Sequence, residues 1–310
     1  MKRLLSWVGI LVSLACMAFF IASTAPHWQA ITTAGWTART WSLLVVGLGL
    51  YVATYASATL AWQVSLLIAG QKAAYAKLAQ ILLLSQFAKY LPGNVGHHVG
   101  RVVLARRIGL PTEAIIISMA LDMMILLAAA VACSLPALGL VLSLLREHGA
   151  DHGRIAVAAV AILAGTLLVA SLFPSVRGAV ARHGKLVVQL FHLGRLPLFG
   201  RAWFIHCFAF IFGGTTLYLI CSGLAGSFEA SWLSVVGVYT AAWLLGFVIP
   251  GAPAGLGIRE VALLVGLAPL YGEPQAIAAA ATLRVVTTAG DGLVFLFALM
   301  RWRTSVAAGA

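Results

Sequence analysis

Six stretches of the chain, roughly 4–23, 42–69, 114–145, 154–173, 202–225 and 276–300, are each apolar over a length near that of a bilayer crossing. A crossing needs about 20 such residues. Charged residues make up only 9% of the chain and hydrophobic ones 62%. A soluble domain carries about 25% charge. The expected fold is therefore an all-α polytopic membrane protein. The third stretch is overlong and contains Pro136, which predicts a kink or break near Ser134–Pro136. The first 26 residues resemble a signal peptide, but Leu4–Ala22 exceeds the roughly 7–15 residues of a signal-peptide apolar core. A retained first span is expected.

Two regions do not fit the pattern of simple spans. Residues 78–112 contain the short run ILLLSQFAKY, then LPGNVGHHVGR, then a second short run. Residues 230–272 contain a run ending in FVIP, then PGAPAGLGIRE, then VALLVGLAPLYG. The two breaks resemble each other. Pro92 precedes Arg101 by nine positions, and Pro250 precedes Arg259 by nine. Each second limb ends at a Pro/Glu break, Pro111 and Glu113 in one case, Glu273 and Pro274 in the other, and a long apolar stretch follows. Paired Gly/Pro interruptions at corresponding positions of two halves are the mark of an inverted repeat. The expected organisation is one repeat over 1–150 with its hairpin at 78–112 and a second over 151–310 with its hairpin at 230–272. Six full spans and two re-entrant helical hairpins result.

The basic residues agree with this layout. With the N-terminus inside and each hairpin returning to its starting side, the inner segments carry Lys2, Arg3, Lys72, Lys77, Arg106, Arg107, Arg177, Arg182, Lys185, Arg195, Arg201, Arg301 and Arg303. The outer segments carry only Arg39, Arg146 and Arg154. Cytoplasmic loops are enriched in Lys and Arg, so both termini are expected in the cytoplasm. The same bias accounts for the net charge of +12 without nucleic acid, and no nucleic-acid-binding module is visible.

Seven charged residues remain at membrane depth: Lys89, Arg101, Arg259, Arg284, Asp122, Glu260 and Asp291. Each would cost about 2.5–3.5 kcal/mol facing lipid at a helix centre. They must instead face one another, a wet cavity or a charged cargo. Lys89 shares a helical face with Ser85 and Gln86, Asp122 with Ser118, and Arg284 with Thr287, Thr288 and Asp291. Asn94, His97 and His98 fall in the first break. The hairpin backbones rest on Pro92, Gly93 and Gly96 and on Pro250, Gly251, Gly255 and Gly257, whose glycines would leave backbone N–H groups free. Broken backbone at this depth is tolerated where it lines a cavity. The helix start at Ile258–Glu260 would aim its positive end into that cavity, which suits phosphate. Four basic against three acidic groups leave one positive charge, which fits an anionic or zwitterionic head group. A purely structural ion-pair network is the alternative use of the same residues.

Other features carry less. Cys16, Cys133, Cys207 and Cys221 all lie in apolar segments without C-x-x-C spacing and read as buried small residues. His148 and His152 fall among glycines in an outer loop, so no metal site is expected. Gly49, Ala53, Ser57 and Ala61 form a small-residue stripe that predicts close helix packing. Trp28, Trp36, Trp41 and Trp302 sit near span ends, as interface anchors do. No phosphate-binding G-x-x-x-x-G-K-[ST] loop is present, and the Gly-Leu-Gly at 255–257 does not continue as a dinucleotide fingerprint, so no cofactor is expected.

Three segments together resemble the flippase-like membrane family related to the N-terminal half of lysylphosphatidylglycerol synthase/flippase. KYLPGNVGHHVGR at 89–101 is similar to that family's first hairpin, IPGAPAGLGIRE at 249–260 to its second, and AATLRVVT at 280–287 to the helix in which it places an arginine. The sequence departs from the family where His97 stands in place of an acidic residue and where Ser118 and Met119, rather than a Glu-Arg pair, precede Asp122. The soluble aminoacyl-transfer domain of bifunctional relatives has no counterpart here. The resemblance implies a lipid flippase of the bacterial inner membrane rather than an enzyme. The seven ionisable groups at the two breaks would form its site, with Lys89, Arg101, Arg259 and Arg284 on phosphate and Asp122, Glu260 and Asp291 on a cationic moiety or a proton. Its partners would be a membrane lipid and a lipid-modifying enzyme or glycosyltransferase, and oligomers are possible. The alternatives are a secondary transporter of a small soluble anion and a non-transporting scaffold subunit of an envelope-lipid synthesis system.

Overall fold

The computed structural model describes residues 36–90, 96–147, 193–225, 230–249 and 253–307, with isolated positions before them. Among the described residues all regular structure is helical. The helices are α1 (Ala38–Ile68), α2 (Tyr75–Gln86), α3 (Gly96–Arg107), α4 (Thr112–Glu147), α5 (Leu196–Ala225), α6 (Trp232–Val248), α7 (Ile258–Tyr271) and α8 (Glu273–Ala307). Short 3-10 turns at Phe87–Tyr90 and Pro253–Gly255 follow α2 and precede α7.

Four helices are long and apolar enough to cross a membrane, over Ala38–Ile68, Thr112–Leu138, Leu196–Ala225 and Glu273–Trp302. They correspond to four of the six expected spans. The expected spans at 4–23 and 154–173 lie outside the described residues, as do His148 and His152. The helices of the interrupted regions are shorter. At about 1.5 Å per residue, α2 and α3, with 12 residues each, reach roughly 18 Å. With 14 residues α7 reaches roughly 21 Å at the same rise. The hydrocarbon core is about 30 Å thick.

Of the kink or break expected near Ser134–Pro136, the break does not occur. Helix α4 continues through Pro136. Two contacts accompany that proline: Ser134 Oγ donates to the Val131 carbonyl at 2.8 Å, and Gly237 of α6 lies so close that an added Cβ would meet the Pro136 Cβ at 3.1 Å. The expected small-residue seam is also displaced. Nothing lies within 4 Å of a Cβ at Gly49, whereas one at Gly47 would meet Thr216 Cγ2 at 3.3 Å. The α1–α5 contact runs through Gly47, whose carbonyl accepts from Thr216 Oγ1, and through Thr40, which donates to the Gly223 carbonyl.

The main core draws on Leu127 and Ala130 of α4, Phe210 and Leu217 of α5, Val238 of α6, Leu267 of α7 and Leu283 of α8. A second cluster joins Trp62 and Leu66 of α1 to Leu78 and Ile81 of α2, Ala105 of α3 and Ile115 of α4. The outward faces are equally apolar. Val45, Val265 and Val285, on three different helices, are 67–69% exposed, as expected for a surface solvated by lipid. Contacts between helices follow one rule. Exchanging α1 with α5, α2 with α6, α3 with α7 and α4 with α8 maps every principal helix–helix contact onto another. Thus α4 packs on α6 as α8 packs on α2, and α5 meets α4 as α1 meets α8. The two 3-10 turns touch each other at the centre.

Candidate functional site: a charged cavity between two helix breaks

A cavity of about 240 Å³ opens where the two breaks meet. Every helix from α1 to α8 contributes to its lining. Lys89, His97, Arg101, Asp122, Gly255, Arg259, Arg284 and Asp291 all line it, so residues up to 202 positions apart in sequence share one chamber. Met119, Met123, Phe210, Trp243 and Phe247 make an apolar wall, with the last two rings stacked at 5.1 Å.

Three acid–base pairs organise the charges. Lys89 Nζ lies 2.7 Å from Asp291 Oδ2 and 3.3 Å from the Tyr55 hydroxyl. Asp291, 1% exposed, also accepts from the Tyr51 hydroxyl at 2.8 Å and from that of Tyr55. This knot ties the first break to α1 and α8. Tyr51 can reach Asp291 because it lies over Gly290, where a Cβ would meet its ring at 2.6 Å. In the second pair Arg101 Nη1 stands 3.9 Å from Asp122 Oδ2 with its guanidinium 5.3 Å from the Trp62 ring. Asp122 also bonds His206 Nε2 at 3.0 Å and accepts from Ser65 Oγ at 3.4 Å. The third pair joins Arg284 Nε to Glu260 Oε1 at 3.3 Å.

The second and third pairs are reciprocal. In the first half the hairpin limb α3 supplies the base and the long helix α4 the acid. In the second half the limb α7 supplies the acid and α8 the base. Each pins a short limb to the long helix that follows it.

Arg259 is held differently. Its side chain runs between Gly246 and Gly255. A Cβ at Gly255 would meet Arg259 Cδ at 2.9 Å, and one at Gly246 would collide with Arg259 Cγ. The guanidinium emerges 5.9 Å from the Tyr239 ring. Backbone geometry makes this slot, since Ala254, Gly255 and Gly257 have φ of 50°, 69° and 82°. Only glycine enters that region readily.

Not every expected site residue lines the chamber. Glu260 is buried in a smaller recess behind it, with Leu263, Arg284 and Thr287. Its Oε2 accepts from the Gly257 N–H at 2.7 Å. That bond corrects the expectation of free donors at the α7 start, because the third residue of the helix already caps it. Gly96 makes a close contact: a Cβ there would meet the Ala88 carbonyl at 2.7 Å, so the start of α3 packs directly on the 3-10 turn that follows α2. Ser118 accepts from Trp62 Nε1, Ser85 donates to the Leu82 carbonyl, and Thr288 is exposed. Asn94, Pro92, Gly93, Pro250 and Gly251 lie outside the described residues. His97 and His98 stack at 3.8 Å, and His97 Nδ1 and Arg101 Nε have no hydrogen-bond partner among the described residues.

The sequence reading passed over Tyr51, Tyr55, Tyr239 and His206, all of which line the cavity. A signal was available for three of them, all but Tyr239. An ionisable residue inside a span is functional by default, which singles out His206. Two tyrosines four apart place two hydroxyls on one face of an apolar helix. Among the described residues no cluster of three metal-ligating side chains occurs.

A bundle of long apolar helices around a charged chamber, with an apolar exterior, defines a multi-pass membrane protein. The chain belongs to the lysylphosphatidylglycerol synthase TM region family, whose model matches residues 6–307. No curated protein matches the sequence. Membership places the chain among proteins concerned with membrane lipids.

Proposed function

We propose that this protein is a lipid translocase of the bacterial inner membrane. A polar head group enters the cavity while the acyl or prenyl tails stay in the bilayer. The observation that carries this reading is one cavity, enclosed by long apolar helices, that receives four basic and two acidic side chains from the two helix breaks and from α4 and α8. Charges so placed are expensive unless they serve a polar cargo or one another. No covalent step on the lipid is needed, and a lipid-modifying enzyme or glycosyltransferase would supply or use the cargo.

The reading includes a topology. α2 with α3 and α6 with α7 form two re-entrant hairpins between six spans, arranged as an inverted repeat. The short limbs support it, as do the exchange rule of the helix contacts and the reciprocal ion pairs. The distribution of Lys and Arg favours both termini in the cytoplasm.

The test is a flip assay with purified protein in vesicles containing a trace of labelled lipid. Arg284→Ala and Glu260→Ala are each expected to slow translocation at least tenfold. Wild-type rates in both variants would sink the site assignment. Uptake of a soluble anion without lipid movement would favour a secondary anion transporter instead.

A further inference from the structure

The chamber and the recess behind it together hold four cations and only three anions, and the geometry identifies the cation left over. Lys89 is matched by Asp291, Arg101 by Asp122 and Arg284 by Glu260. Only eight Asp and Glu exist in the whole chain. Among the described residues none of them pairs with Arg259, whose guanidinium instead faces the Tyr239 ring. Gly246, Gly255 and the left-handed backbone at Ala254–Gly257 hold this side chain in a fixed slot leading into the cavity. A charge presented in this way at membrane depth needs a counter-ion, and the cargo is the available source.

We propose that Arg259 is the specificity-determining residue of the cavity and selects a phosphate diester carrying a single negative charge. One such group brings the chamber to neutrality. A zwitterionic head group would leave it at plus one and a phosphate monoester, with its second charge, would carry it past neutral. A cationic head group would add to the excess. The planar fork of Arg259 matches two phosphate oxygens of a diester. This inference rests on the reading of the chamber as a head-group site but not on translocation itself.

A phosphodiester could come from a lipid or from a soluble glycerophosphodiester, so the experiment has two arms. In the first, the full chain is placed in nanodiscs of equimolar phosphatidylglycerol, phosphatidylcholine, phosphatidic acid and lysylphosphatidylglycerol, and bound lipid is counted by native mass spectrometry. In the second, calorimetry compares glycerophosphoglycerol, glycerophosphocholine and glycerol 3-phosphate on detergent-purified protein. The expected result is a preference of at least roughly tenfold for the monoanionic diester in one arm or both, as befits loss or gain of a charged hydrogen-bonding pair. Arg259→Gln should erase it. Gly246→Ala keeps the charge but drives the side chain out of its slot, and should erase it too. Thermal unfolding of the ligand-free variants checks that they fold, and Arg259→Lys, which retains the charge, should keep part of the preference. No preference for the diester in either arm, or a preference that survives Arg259→Gln, overturns the proposal. A preference that Arg259→Gln removes, in a protein that moves no lipid, upholds the proposal and removes the translocase reading.

Discussion

Single residues decide whether charge can sit at the centre of this molecule. Asp291 is 1% exposed yet receives Lys89 and two tyrosine hydroxyls, so its charge is solvated by protein instead of water. Removing one member of a buried pair is costlier than removing both, by about 3–5 kcal/mol for the broken pair. Asp291→Leu alone should therefore lower the unfolding midpoint sharply, since Lys89 keeps its charge in the core. The double variant Lys89→Met/Asp291→Leu should recover most of that loss while abolishing the chamber's function. Thermal unfolding in detergent checks this, and a double variant no more stable than the single one would show that the pair is not coupled. The sequence made the charges legible, because any charged residue in an apolar run stands out. It did not reveal their partners. Lys89 and Asp291 lie 202 positions apart, and Asp122 meets His206 across 84. Such pairings depend on helix rotation, which no local pattern encodes.

At the scale of elements, six of the seven charges act as fasteners. Glu260 has two tasks that the sequence could not separate: it caps α7 through the Gly257 N–H and pairs with Arg284. Glutamine can keep the cap but not the charge, and alanine keeps neither. The stability order should be wild type, then Glu260→Gln, then Glu260→Ala, with the cap contributing about 1 kcal/mol to the last step. Thermal unfolding in detergent should follow the same order. Equal behaviour of the two variants would show that the cap contributes nothing. The breaks themselves were legible because proline and glycine punctuate helices wherever they cluster. Pro136 misled for the same reason: it is a breaker by local rule, yet α4 runs on through it with Gly237 packed close by. The stripe at Gly49–Ala61 misled because small residues allow close packing without saying which neighbour arrives. Gly47, one turn-fraction away, received α5 instead.

For the molecule as a whole, the contacts among α1–α4 correspond to those among α5–α8, and the two sets of helices interlock. Each long helix packs on the hairpin of the other half, α4 on α6 and α8 on α2, and the breaks touch at the centre. The equal spacing of Pro92–Arg101 and Pro250–Arg259 hinted at this plan, but the crossed packing joins segments more than 100 residues apart and could not be read from either half alone. Inversion makes a prediction that a simple count of helices does not. If α2–α3 and α6–α7 are re-entrant, the ends of each hairpin must emerge on one side, and the two hairpins on opposite sides. Single cysteines at the exposed positions Ala74 and Thr112 bracket the first hairpin, and those at Ser231 and Gln275 bracket the second. They would be placed in a chain with its four native cysteines replaced by alanine. A membrane-impermeant maleimide applied to sealed inside-out vesicles should label Ala74→Cys and Thr112→Cys. Applied to right-side-out vesicles, it should label Ser231→Cys and Gln275→Cys. Were the short limbs instead to cross together as one interrupted span, the two members of a bracket would label from opposite sides. Were the halves parallel rather than inverted, all four positions would label from the same side. Helices α2 and α3 pack side by side, with a Cβ at Gly100 meeting Ser85 Cβ at 3.1 Å, as the limbs of a hairpin do and the two pieces of one interrupted span do not, which argues for the first outcome. So does the placing of Lys72, Lys77, Arg106 and Arg107, since basic residues collect on one side of a membrane and these four stand near both ends of the first bracket.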